Sequence, residues 1–285
     1  MDAKLLLVHA LSPLHAGTGQ GVGVIDQPIA REKATGIPFL PGSSIKGVLR
    51  DACGDDALAV RVFGPKTDNA DAHAGAVHFT DARLLLLPIR SLKGVFAWVT
   101  SPLLLQRFLR DLKSAQQNWD VSIPTLADDD HCLVTDQNDQ ISLSNAPDPN
   151  KVFLEDLPLT ATSSPIARAW GQKLAAALFE NNDDQWQTTL ETHLCIVSDN
   201  TLGFLLETAT EITARIRLEE EKKTVATGAL WYEESLPTET VLAGLTVEAR
   251  KDDVFATIKN LTAKTLQFGG NATVGRGLCR IHQLD

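Results

Sequence analysis

Several absences narrow this sequence first. Its 285 residues contain no apolar run near the roughly 18 that a membrane span needs; the longest, Leu84–Leu87 and Leu103–Leu105, are short. The opening Met-Asp-Ala-Lys lacks a charged segment leading into an apolar one and a small-residue cleavage site, so no signal peptide is expected. The four cysteines, Cys53, Cys132, Cys195 and Cys279, are far apart and form no Cys-x-x-Cys pair. That excludes a zinc framework and a disulfide scaffold, and points to buried thiols in a reducing cytosol. Neither G-x-G-x-x-G nor G-x-x-x-x-G-K-[ST] occurs, so the usual nucleotide cradles are missing. Positive charge is scarce: 26 Lys and Arg face 36 Asp and Glu, a net charge of −10, which argues against a generic nucleic-acid coat.

What is present is unevenly spread. Apolar residues make up 44% of the chain, enough for an ordinary globular core in one large domain with insertions or in two smaller ones. Residues 1–50 hold Lys4, Arg31, Lys33, Lys46 and Arg50 against Asp2, Asp26 and Glu32, a local excess of two positive charges; the other 235 residues therefore carry −12. A basic edge on an acidic body suits a protein that binds RNA in one groove, although acidic runs such as Asp128-Asp129-Asp130 also read as a solvated face.

The most informative stretch runs from His15 to Arg50. Gly17, Gly19, Gly21 and Gly23 alternate with other residues and are followed by a lone carboxylate, Asp26. Glycines let a backbone approach a ligand closely and aim successive N–H groups at an anion; the alternative is a slack linker, and for Asp26 a loop-end turn. After the turn chemistry of Thr35 to Gly42, Ser43 or Ser44 is placed to cap a helix. In it Ile45, Val48, Leu49 and Cys53 share one face and Lys46 and Arg50 another. Gly47 in mid-helix costs about 1 kcal/mol relative to Ala, so an RNA or a neighbouring strand is expected to approach there.

Leu5–Leu11 reads as a central strand. A helix over 56–63 stops at Gly64-Pro65. His73 and His78, with Asp68 and Asp71, match no metal-ligand spacing and read as loop composition. Strands are expected over 77–89 and 95–100, and Ser101-Pro102 and Ser164-Pro165 each open an apolar-striped helix. Residues 115–164 lose periodicity and read as an insertion with some strand content. Ile212 to Leu218 alternates, Ile212, Ala214, Ile216 and Leu218 against Thr213, Arg215 and Arg217, and the chain returns through Thr224 to Tyr232 as a hairpin. Its arginine face reads either as projecting onto a nucleic acid or as the wet side of an edge hairpin. A helix over 254–266 leads to a second glycine-rich loop, Gly269-Gly270 to Gly275-Arg276-Gly277, and a closing strand. The order describes an α+β chain of ferredoxin-like (RRM-like) type with insertions, its two glycine loops flanking first and last strands that would be neighbours.

These segments together resemble the RAMP superfamily of CRISPR-associated proteins: Leu14 to Gly19, Val24 to Glu32, Thr35-Gly36-Ile37-Pro38, Pro41 to Arg50 and Gly269 to Gly277. Asp26 to Glu32, Phe79 to Arg83, Gly94 to Pro102 and Gly228 to Glu234 are similar to the repeated backbone subunit of the type III-B (Cmr) effector. The resemblance implies a palm with a protruding thumb, for which 212–232 is the candidate. It implies several copies stacked along a CRISPR RNA in the cytoplasm, alongside other Cmr effector subunits and away from any membrane, each copy cutting the paired target RNA once. The family's catalytic aspartate matches Asp26, and its loop histidine matches His15. Its helix contacts to guide-RNA phosphates match Ser43, Ser44, Lys46 and Arg50. Further RNA contacts are expected from Gly17, Gly19, Arg31, Gly270 and Arg276, and from Arg215 and Arg217. A carboxylate can take the proton of an RNA 2′-OH or hold a divalent ion; one carboxylate does not organise a two-metal site, so a single loosely held Mg²⁺ or Mn²⁺ at Asp26 is expected, with His15, Glu233 or Glu234 assisting proton transfer. The alternatives are a non-catalytic guide-binding filament subunit, the type III-A counterpart, and a RAMP endonuclease that processes CRISPR transcripts.

Overall fold

The computed structural model describes residues 1–19, 24–65, 74–136, 139–143, 150–179, 184–219 and 225–284. Gly21 and Gly23 of the first glycine run, His73 with Asp68 and Asp71, and the hairpin tip at 220–224 lie outside them.

Four strands and two helical crossings make the palm. β1 (Asp2–Ala10) leads through β2 (Phe39–Leu40) to α1 (Gly42–Ala52) and α2 (Asp56–Phe63), then to β3 (Val77–Phe79) and β4 (Ala82–Arg90). Far along the chain β12 (Val241–Glu248) leads through α7 (Val254–Leu261) and the short β13 (Leu266–Gln267) to β14 (Leu278–Leu284). In space the order is β14, β1, β12, then β3 and β4, all antiparallel. With the four strands numbered along the chain this is 4-1-3-2, the ferredoxin-like arrangement expected. β1 is buried from Leu5 to Ala10, which is why it reads as a continuous apolar run. Its Leu6 and Val8 pack with Ile45 and Leu49 of α1 and Val254 and Ile258 of α7, while Leu5 and Leu7 pack with the opposite layer.

Between palm strands two and three lies everything from β5 (Phe96–Thr100) to the end of the hairpin. α3 (Pro102–Ser114), β6 (His131–Thr135), β7 (Lys151–Leu154), β8 (Leu157–Ser164), α4 (Pro165–Leu178), α5 (Asp184–His193) and β9 (Leu194–Val197) continue the same sheet in the order β4, β5, β9, β6, β8, β7. The strand content of 115–164 is therefore part of the main sheet. Leu105, Phe108 and Leu112 of α3 and Trp170 and Leu174 of α4 cover its second face. After α6 (Asp199–Thr208), β10 (Glu211–Leu218) and β11 (Val225–Ser235) form a separate two-stranded sheet. Among the described residues no helix is long and apolar enough to cross a membrane. Cys132, Cys195 and Cys279 are buried thiols; Cys53 is half-exposed.

Two local expectations fail. Neither Ser43 nor Ser44 caps α1, because the helix already begins at Gly42 behind Pro41. The cap comes from afar: the Gly42 N–H donates to Asp81 Oδ1 at 2.9 Å, from the break between β3 and β4. A side chain on Gly42 would meet the Phe79 and Thr80 carbonyls, so this closeness needs glycine. The hairpin's faces are also reversed. Ile212, Ile216, Leu230 and Tyr232 face solvent, whereas Thr213 and Glu233 meet Arg276 and Asn271 of the second glycine loop. Alternation shows that a strand has two unlike faces, but it leaves open which one meets the body.

Candidate functional site: a carboxylate at the base of the hairpin

Residues 13–17 form the seam between palm and hairpin. The Gly277 N–H donates to the Pro13 carbonyl at 2.8 Å; Leu14 and Leu236 exchange main-chain bonds; the Gly270 N–H donates to the His15 carbonyl at 3.0 Å; the Ala30 N–H donates to the Ala16 carbonyl at 2.7 Å. Both glycine loops thus meet at His15, as their positions beside the paired strands β1 and β14 require. The buried imidazole lies between them. A Cβ on Gly17 would stand 2.6 Å from its Nε2, and one on Gly270 would stand 3.0 Å from its Cδ2. His15 Nδ1 is 2.6 Å from the Glu234 carbonyl. A carbonyl only accepts, so Nδ1 carries a proton, and in the neutral ring Nε2 is the lone-pair nitrogen facing Gly17.

Asp26 is held by the same strand edge. Its Oδ2 accepts from the Tyr232 N–H at 2.8 Å. The Gln27 N–H donates to the Tyr232 carbonyl at 3.0 Å, and the Glu234 N–H donates to the Gln27 carbonyl at 2.9 Å. The main-chain anchors of Asp26 and His15 are therefore two residues apart on β11, about 7 Å along an extended strand. Asp26 is exposed, and one carboxylate oxygen has no hydrogen-bond donor among the described residues.

Glu234 is the hub behind this edge. One carboxylate oxygen accepts from the Ile29 N–H at 3.0 Å; the other accepts from Arg31 Nη2 at 2.6 Å and Thr210 Oγ1 at 2.9 Å. It is 3% exposed, so these bonds are what allow the carboxylate to be there. Glu233 is engaged as fully, by Trp231 Nε1 at 2.8 Å, Arg215 Nε at 3.1 Å and Asn271 Nδ2 at 3.0 Å. Burial alone would raise its pKa, but the bonds from Trp231 and Arg215, with the charge of Arg215, hold it below the usual carboxylate range. Neither glutamate is placed to shuttle a proton, contrary to expectation. Glu32, next to Arg31, accepts from Thr35 and Arg107 and forms an ion pair with Arg83. Burial pushes it up and these partners more than reverse that, so it too stays ionised and ties the loop to α3.

Several expected RNA contacts are turned inward. Arg31 donates to the Gly36 and Leu206 carbonyls as well as to Glu234. Arg50 donates to the Gly64 and Pro65 carbonyls, tying α1 to the end of α2. Arg215 pairs with Glu233, and Arg276 pairs with Glu211 at 2.9 Å and bonds Thr213. In the second glycine loop the N–H groups of Gly270, Val274, Gly275, Arg276 and Gly277 donate to its own or neighbouring carbonyls. Ser43 and Arg217 are exposed, Ser44 and Lys46 half-buried; among the described residues Lys46 and Arg217 have no ion-pair partner. A Cβ on Gly47 would meet open space, so no strand approaches there and that side of α1 is free. Gly17 and Gly19 are exposed on the near side of the seam. Asn271 and Thr210 were not foreseen, since lone polar residues in irregular segments carry no periodic signal.

Among the described residues no three His, Cys, Asp or Glu side chains are grouped to cage a metal. The one available Asp26 oxygen suits an ion that keeps most of its water and takes further ligands from a phosphate, as Mg²⁺ commonly does.

A ferredoxin-like palm with a separate hairpin, and a carboxylate and a histidine sewn to the hairpin's base, define a palm-and-hairpin protein. The chain matches the RAMP superfamily over residues 7–280 and belongs to it. It is 37% identical over 293 aligned positions to the CRISPR system Cmr endoribonuclease Cmr4 of Pyrococcus furiosus, covering 99% of this chain and 95% of that one. It superposes on the crystal structure of oligomeric Cmr4 from Pyrococcus furiosus with a TM-score of 0.76 at 32% identity, covering 100% and 98% of the two chains. A chain of the type III-B Cmr-beta complex bound to cognate target RNA shares the fold, with a TM-score of 0.75 at 20% identity and 99% and 97% covered.

Proposed function

We propose that this protein is the repeated guide-RNA-binding backbone subunit of a type III-B effector and the endoribonuclease that cuts the guide-paired target RNA. Similarity to an endoribonuclease over nearly the whole of both chains supports the activity, and the oligomeric relative supports stacking of copies. The observation that carries the chemistry is the exposed Asp26 carboxylate, fixed by the Tyr232 N–H where palm and hairpin join.

In this reading Ser43, Ser44 and Lys46 on the open side of α1 face the guide phosphates, and Asp26 reaches the target strand. Asp26 accepts the proton of the target 2′-OH as its oxygen attacks the adjacent phosphorus; the bond from phosphorus to the 5′-oxygen breaks, leaving a 2′,3′-cyclic phosphate, and the departing 5′-oxygen takes a proton from water. The Nε2 of His15 is a second acceptor near the same strand edge. A loosely held Mg²⁺ or Mn²⁺, with Asp26 as its one protein ligand, would offset charge on the phosphate. The protein works in the cytoplasm beside other effector subunits.

The test is to assemble the complex with a defined guide and an end-labelled complementary RNA. Regularly spaced cuts, as many as there are copies of this chain, are expected, and EDTA is expected to suppress them. Binding without cutting would reduce the chain to a structural guide-binding subunit. Cleavage of repeat RNA by the isolated chain would make it a transcript-processing enzyme.

A further inference from the structure

The palm sheet ends in an incomplete edge. β13 pairs only with Leu278 and Cys279, while β14 runs on to Leu284. From Arg280 to Leu284, β14 is paired with β1 and, on its other side, with no described strand. The register shows which groups are left over. The Leu11 N–H donates to the Leu278 carbonyl, so those two form a hydrogen-bonded pair. Antiparallel pairs alternate, hence Arg280, His282 and Leu284 turn their main-chain groups toward β1, while Ile281 and Gln283 turn theirs outward.

Along this edge lies an open groove of about 800 Å³, walled by Phe179 at the end of α4 and by Thr262, Lys264 and Thr265 beyond α7. In a chain of net charge −10 its lining, among the described residues, holds Lys259, Lys264, Arg280 and His282 and no carboxylate. Lys264 and Arg280 are exposed, with no ion-pair partner among the described residues. Two polar side-chain atoms on the edge strand, His282 Nε2 and Gln283 Oε1, are buried without a hydrogen-bond partner. Cations alone can guard a sheet edge against stray pairing. A groove with orphaned polar atoms beside a free strand edge is more than a guard, because such atoms cost free energy until a partner satisfies them.

We propose that the open edge of β14 is a docking site for an extended acidic segment of a partner protein, which adds to the palm as a further strand. The chemistry favours a peptide over RNA. The edge offers N–H donors and carbonyl acceptors in alternation, which another extended backbone matches, whereas phosphates only accept. Lys264 and Arg280 then select acidic side chains. The site is on the far side of β1 from β12 and β4, and none of its lining residues belongs to the Asp26 seam.

The test uses the full chain and a fluorescein-labelled eight-residue peptide of alternating glutamate and valine, followed by anisotropy. Saturable binding is expected, weakened ten-fold or more by Lys264→Glu with Arg280→Glu, two exposed changes that leave the circular dichroism intact. The same peptide N-methylated at alternate residues, which cannot pair with a strand, is expected not to bind; this arm needs no variant. The proposal is overturned if the N-methylated peptide binds equally well, or if no saturable binding is seen. Displacement of the peptide by an eight-nucleotide single-stranded RNA would overturn it in favour of a nucleic-acid site. Loss of self-association in the charge-reversed protein, in sedimentation, would overturn it in favour of a second copy of this chain.

Discussion

The main-chain N–H of Tyr232 donates to the Asp26 carboxylate at 2.8 Å, across 206 positions of sequence. The bond comes from backbone, so the strand itself orients the carboxylate, and whatever steadies β11 at its base steadies Asp26. Glu234 is that support, through its carboxylate to Ile29 and Arg31 and its carbonyl to His15.

Glu234→Gln keeps the shape but removes the charge opposite Arg31. Breaking a buried pair from one side costs about 3–5 kcal/mol; with the Arg31 side chain 27% exposed, about 2–3 kcal/mol is expected here. Urea unfolding reads the loss directly. Cleavage is expected to fall with it, while guide-RNA affinity stays within about two-fold, since neither partner of the pair faces the open side of α1.

Gly269 and Gly275 both have positive φ, 73° and 79°, yet differ in surroundings. A Cβ on Gly269 would collide with the His15 carbonyl, whereas one on Gly275 meets nothing. Gly275→Ala is expected to cost only the left-handed penalty, about 1–2 kcal/mol. Gly269→Ala adds the collision, and is expected to lower the melting temperature further and to displace His15. Equal melting temperatures for the two variants would show that the seam is not tightly closed.

RNA affinity is expected to depend on few cations. Lys46→Ala is expected to reduce the slope of log affinity against log salt by about one contact. Arg31→Met, Arg50→Met and Arg276→Met are expected to lower the melting temperature and leave that slope unchanged, because their guanidinium groups are bonded internally. Titrations at several salt concentrations separate the two groups.

Burial holds the His282 imidazole down to about 4, with His9 and Arg280 adding to the effect. In the unfolded chain it titrates near its ordinary 6.5, so between these values the unfolded state binds more protons. Stability is therefore expected to be lost as pH falls from 6.5 toward 4, by up to about 3 kcal/mol from this residue. Urea midpoints at pH 7 and 4.5 measure the drop, and His282→Gln is expected to shrink it.

Much of the fold was legible. The buried run of β1, the 56–63 helix, the Ser-Pro helix starts and the closing strand are local patterns whose burial supplies their signal. Asp26 and His15 stood out because they flank a glycine run, and the pairing of β1 with β14 brings the second glycine loop to the same histidine. What stayed hidden was non-local. Asp81 caps α1 from 39 positions away, and Glu234 serves residues more than 200 positions back. The arginines misled for the same reason: sequence shows that a cation is present, but only the fold shows that Arg31, Arg50, Arg215 and Arg276 already have carbonyl or carboxylate partners.

Asp26→Asn tests the central claim most directly. Asparagine offers a carbonyl oxygen to the Tyr232 N–H, so the segment stays in place while the charge is lost. In the assembled complex with guide-paired RNA, the account predicts unchanged RNA binding and a cleavage rate lower by at least about a hundred-fold, the low end for loss of a positioned acid–base group. Cleavage at the wild-type rate by the Asp26→Asn complex would contradict it.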